Sequence, residues 1–113
     1  MTIHEICDEY GAVRLHDKES AGLLWTVSKS AFPEWRSIDG KDVFLEEYEY
    51  NRRINLLYYG GTGDTCCGLS KTGITGMMDE TFYARQNRPI FEITDIVNTL
   101  KIDTNAVMIL IED

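Results

Sequence analysis

FLEEYEYNRRINLLY, residues 44–58, decides the fold, because its apolar residues must settle on one side of either a strand or a helix. Taken every second residue, one series runs Phe44, Glu46, Tyr48, Tyr50, Arg52, Ile54, Leu56, Tyr58. The other runs Leu45, Glu47, Glu49, Asn51, Arg53, Asn55, Leu57, Tyr59. The first is mostly aromatic and aliphatic and the second mostly charged or polar, which is the period-two pattern of a half-buried sheet. The run is long for one strand, so the alternation predicts two strands turning near Asn51-Arg52, or one bent continuous strand. Just upstream, Asp39-Gly40 suits the positive φ angles of a two-residue hairpin turn between WRSI and KDVF.

Working outward, Thr2 and Glu5 make a capping box, followed by Ile3, Ile6, Cys7 and Tyr10 at helical spacing. Gly11 then suits the left-handed position that ends such a helix. Val13 and Leu15 alternate with Arg14 and His16 as a brief strand would. Asp17 caps a second helix with the stripe Ala21, Leu24, Trp25, Ser28 and Phe32, and Pro33 stops it. Toward the other end, Asp79 caps a short helix in DETFYARQN, and Ile90 to Ile93 reads as a strand. Thr94 caps a helix with Ile93, Ile96, Val97 and Leu100 on one face, and AVMILI, residues 106–111, has the unbroken apolar character of a buried strand. The expected fold is a single α+β domain over residues 1–113. It is an antiparallel meander of about four to six strands with two or three helices packed on one face.

Composition narrows the class of protein. A hydrophobic content of 43% with 11% aromatic residues is that of a folded domain. The formal charge of −8 repels nucleic-acid phosphates and anionic membranes and favours a basic protein partner. The N-terminal MTIHEICDEYG has neither the basic nor the apolar segment of a signal peptide, and no apolar run is long enough to span a membrane. Three cysteines, an odd number, do not make a disulfide framework, so a reducing cytoplasm is the expected setting.

YYGGTGDTCCGLSKTGITG, residues 58–76, holds six of the nine glycines. It fails the phosphate-loop pattern, since Ser70 stands where a glycine must precede Lys71. It fails the dinucleotide pattern too, since Cys66 occupies the third glycine position. The stretch reads as a mobile connection whose Tyr59, Asp64 and Lys71 could reach the partner interface. A lid over an anion or nucleotide, dependent on Lys71, is the alternative, and Asp64 argues against it. Adjacent Cys66 and Cys67 point to opposite faces of a strand, which makes shared metal ligation awkward, and the expectation is buried thiols with no metal and no cofactor. His16-Asp17 supplies no nucleophile, and Asp79, Glu80 and Glu92 could meet only if the fold brought them together. No catalytic residue is assigned, and the chain reads as a non-enzyme.

Asp39, Asp42, Glu46, Glu47 and Glu49 flank Tyr48 and Tyr50, and such a surface suits lysine and arginine heads over aromatic faces. A merely solvated face would carry the same charges. In size, charge and this acidic DGKDVFLEEYEY segment, the chain resembles bacterial toxin-immunity proteins and related small inhibitors. That resemblance implies a tight complex with a cognate toxin, often a nuclease, whose active site is blocked. A small enzyme or ligand-binding domain is the other reading, distinguished by whether the chain binds nucleotide or metal on its own.

Overall fold

A computed structural model of the chain describes residues 3–34, 40–59 and 64–94. Along it run α1 (Ile3–Asp8), β1 (Ala12–Leu15), α2 (Lys18–Ala31), α3 (Lys41–Tyr59), β2 (Thr65–Ser70), β3 (Gly73–Asp79), α4 (Glu80–Arg85) and β4 (Ile90–Glu92). Asp39 of the expected hairpin turn, the helix after Thr94 and the 106–111 strand lie outside the described residues.

Residues 44–58 are helical, not two strands. Phe44, Tyr48 and Asn55 are the buried positions, spaced by four and seven as on one face of a helix. Tyr50 and Tyr58, which the alternation places inside, are 57% and 73% exposed. Between Lys41 and Tyr59 there is no glycine or proline to break the run, and 19 residues are far more than a strand uses. The carbonyl of Gly40 accepts from the Phe44 amide at 3.0 Å, so the chain enters the helix where the hairpin turn was expected.

The smaller elements follow their local signals more closely. Asp17 caps α2, accepting from the Ser20 amide at 2.8 Å, while the Ser20 hydroxyl accepts from the Asp17 amide at 3.0 Å. Asp79 caps α4 by accepting from the Thr81 amide at 3.0 Å. After α1 the left-handed residue is Tyr10, with φ 54°, rather than Gly11. Glycine is needed at 11 for another reason: a Cβ there would meet Phe91 Cε2 at 2.7 Å.

The described strands make one sheet in the order β3-β2-β1-β4. β1 pairs with β2 antiparallel and with β4 parallel, so the sheet is mixed rather than a meander throughout. Val13, Leu15, Cys67, Leu69 and Met77 face the main core, filled by Ile3 and Ile6 of α1, Leu24 and Val27 of α2, and Phe44 and Tyr48 of α3. Ala12 and Cys66 face the other way, against Tyr83 of α4. α4 therefore covers the face opposite the other three helices.

Candidate functional site

The acidic residues expected to act together are distributed by the helix. Asp42, Glu46, Glu49, Tyr50 and Arg53 share the outward side of α3 and, with Leu45 and Lys18, line an open cleft of about 610 Å³ beside α2. Lys18 Nζ stands 3.7 Å from Glu49 Oε1, a surface pair of small energetic weight. Glu47 lies on a different flank, lining a second groove with Val43 and Asn51 of α3 and Ile74 and Met77 of β3. Tyr48 is 1% exposed and belongs to the core, so it is no surface contact. Asp39 is outside the described residues, as are residues 60–63 of the glycine-rich stretch.

The rest of that stretch is sheet. Cys66 to Ser70 belong to β2 and Gly73 to Gly76 to β3, with Lys71-Thr72 as the turn between them. Asp64 and Lys71 stand at opposite ends of β2, roughly 20 Å apart at the usual rise per residue. Lys71 pairs instead with Asp8 at 3.4 Å, both well exposed. Tyr59 ends α3, and its side chain is outside the description.

A second polar centre forms on the α4 side of the sheet, where the sequence offered only scattered acids. Arg14 stands beside Glu92 in the parallel β1–β4 register. Its guanidinium bonds both Glu92 and Glu80, and Asp64 Oδ2 lies 3.7 Å from its Nε. His16 follows on β1's far end, its amide donating to the Ser20 hydroxyl at 2.9 Å. Nδ1 of His16 is 3.2 Å from Asp64 Oδ2, and Nε2 is 2.9 Å from Glu92 Oε2. The hydrogen bond with Glu92 raises the His16 pKa against a smaller opposing desolvation, and the Asp64 charge raises it further. The same bond lowers the Glu92 carboxyl, with Arg14 helping. Both imidazole nitrogens are thus engaged by carboxylates, which favours the imidazolium and leaves no free ring nitrogen to act as a base.

Of the carboxylates that the fold might have gathered, Glu80 and Glu92 meet on Arg14, while Asp79 is buried as the α4 cap. Asp17 likewise serves α2 rather than His16, and the Ser20 backbone bond lowers its pKa. Cys7, Cys66 and Cys67 are buried. Burial pushes the Cys7 thiol up to about 11 and the Cys66 thiol up to about 12, and raises Cys67 as well, so none is poised as a nucleophile. Among the described residues no three His, Cys, Asp or Glu side chains are grouped to hold a metal ion, and no helix is long and apolar enough to cross a membrane.

No protein-family model matches the chain, and neither a curated protein nor a solved structure matches it.

Proposed function

We propose that this is a non-enzymatic binding protein that takes a basic protein partner on the outward side of α3. In this reading it acts in the cytoplasm as an immunity or inhibitor protein, blocking the active or substrate-binding site of a toxin such as a nuclease. One observation carries the proposal. Among the described residues, six large apolar side chains are left exposed, and five of them lie on α3: Tyr50, Leu56, Leu57 and Tyr58, with Val43 on the flank beside β3. Single exposed apolar residues are ordinary, but their collection on one helix marks an interaction surface.

Asp42, Glu46 and Glu49 occupy the first half of that surface, and Leu56, Leu57 and Tyr58 end it. The carboxylates meet the partner's lysines and arginines, while the apolar end is buried and holds the complex. Lys18 and Arg53 offset part of the local charge in the cleft, so long-range attraction comes mainly from the chain's net −8.

The test is co-expression with the product of each adjacent reading frame, followed by size-exclusion chromatography. A heterodimer that protects the host and is lost in the double variant Glu46→Lys, Glu49→Lys supports the proposal. Protection that survives this charge reversal and Leu57→Asp together, or none with any adjacent product, refutes it.

A further inference from the structure

Arg88 is a buried cation that meets no anion among the described residues. It follows Asn87, whose left-handed φ of 56° turns the chain at the end of α4. The residue is 8% exposed. Its Nε donates to the Tyr10 carbonyl at 2.7 Å, and its Nη2 reaches the carbonyls of Gly11 at 3.3 Å and Leu69 at 3.4 Å and the Thr75 hydroxyl at 3.5 Å. The guanidinium carbon lies 3.7 Å from the centre of the Tyr10 ring and 4.7 Å from that of Tyr83. Every one of these partners is neutral. The ion pairs among the described residues belong to Arg14, His16, Lys18 and Lys71, never to Arg88. A buried guanidinium normally meets a carboxylate, because removing the charge from water is costly.

The backbone is shaped around this side chain. Ala12, Gly68 and Gly76 lie side by side across β1, β2 and β3, leaving a trough on the α4 face of the sheet. A Cβ on Gly68 would come within 2.9 Å of Arg88 Nη2 and 3.0 Å of Tyr83 Cε1. The Tyr83 hydroxyl donates to the Gly76 carbonyl at 3.0 Å, fixing the ring beneath the guanidinium. On the other side Tyr10 adopts a left-handed conformation that is rare for a bulky residue, and by it presents both its carbonyl and its ring to Arg88.

The bonds to protein acceptors use Nε and Nη2, and Nη1 takes part in none of them. Arg88 also lines a cleft of about 280 Å³, together with Tyr10, Met78, Phe82, Tyr83 and Gln86. We propose that this cleft binds a small organic carboxylate with a flat apolar body. The carboxylate accepts from Arg88 Nη1 and from the Gln86 amide, and the body lies among Tyr10, Phe82 and Met78. One cation with aromatic and thioether walls suits a monoanion; the chain's −8 disfavours a phosphate dianion. The inference is independent of the role given to α3.

Titration with phenylacetate, followed by amide and tyrosine ring NMR signals, tests it. Saturable shifts at Tyr10, Gly76 and Phe82 are expected, with the neutral phenylacetamide weaker by about tenfold or more, the worth of a charged hydrogen bond. Gln86 is exposed, so Gln86→Glu keeps the fold while placing a like charge at the mouth, and it should weaken phenylacetate by a similar factor. Absence of saturable shifts, equal binding of the amide, indifference to Gln86→Glu, or tighter binding of inorganic phosphate than of phenylacetate each overturns the assignment.

Discussion

Nε2 of His16 meets Oε2 of Glu92 at 2.9 Å, so the far end of β1 is tied to the last residue of β4. Folding raises the His16 pKa above its ordinary 6.5 and lowers that of Glu92 below its ordinary 4.5. The His16 contribution is complete below 6.5 and fades as pH rises through the folded value; that of Glu92 is complete above 4.5 and fades as pH falls through its folded value. The pair thus stabilises most between these limits. Both groups are more than a third exposed, so solvent screening holds the effect to about 0.2–1 kcal/mol. Melting temperatures across pH should show an alkaline decline that His16→Gln flattens, and an unchanged profile in that variant would rule the linkage out.

On α3, helix geometry separates residues that a strand would have grouped. Tyr48→Ala should cost about 3–5 kcal/mol in urea unfolding, as expected of a buried aromatic, whereas Tyr50→Ala should leave the midpoint nearly unmoved. Equal costs at the two positions would contradict the helix.

The same geometry sorts the acids. Glu46→Gln with Glu49→Gln should slow association with a basic partner and weaken its salt dependence, because steering is screened over a Debye length of about 10 Å at 0.1 M. Glu47→Gln, on the β3 flank, should change the association rate less. Stopped-flow rates at low and high salt distinguish these cases, and a larger effect at Glu47 would move the interface to that flank.

Gly68→Ala drives a methyl to 2.5 Å from Thr75 Oγ1 and against Arg88 and Tyr83. Backbone or side chains must shift, at a cost of about 1–3 kcal/mol in denaturant unfolding. An unaffected stability would mean that the Arg88 trough is looser than described.

Cys66 and Cys67 should react with a thiol reagent at mildly alkaline pH only as fast as the protein opens, since burial holds Cys66 near 12 and raises Cys67. Rapid labelling in the native state would show that β2 is accessible.

Local signals were legible where one residue settles the local structure. Asp17 and Asp79 announce their helices because a cap acts on amides two or three positions away. Cys66 and Cys67 announce their opposite facing by adjacency alone. Residues 44–58 misled because Phe44 and Tyr48 are four apart, a spacing common to both periods. Tyr50, Leu56, Tyr58 and Asn55 are among the residues that separate the two, and tyrosine is at home both inside and at a surface. Neither Arg14 nor Arg88 carried a signal. Arg14 draws its acids from positions 64, 80 and 92, and Arg88 draws its acceptors from 10, 11, 69 and 75. Such neighbourhoods exist only after the sheet has formed.

The parallel pairing of β1 with β4 also dictates the order of events during synthesis. The β2–β3 hairpin closes through its own two-residue turn and can form on a microsecond scale, about 1–10 μs. β1 can close its far edge only when a segment 78 residues later arrives, as the Arg14–Glu92 separation shows. A nascent chain that has emerged only through Met78 therefore carries Arg14 without Glu80 or Glu92 and β1 without β4. Its ribosome-bound form should remain protease-sensitive, and resistance should appear in one late step once residue 92 is free of the ribosome.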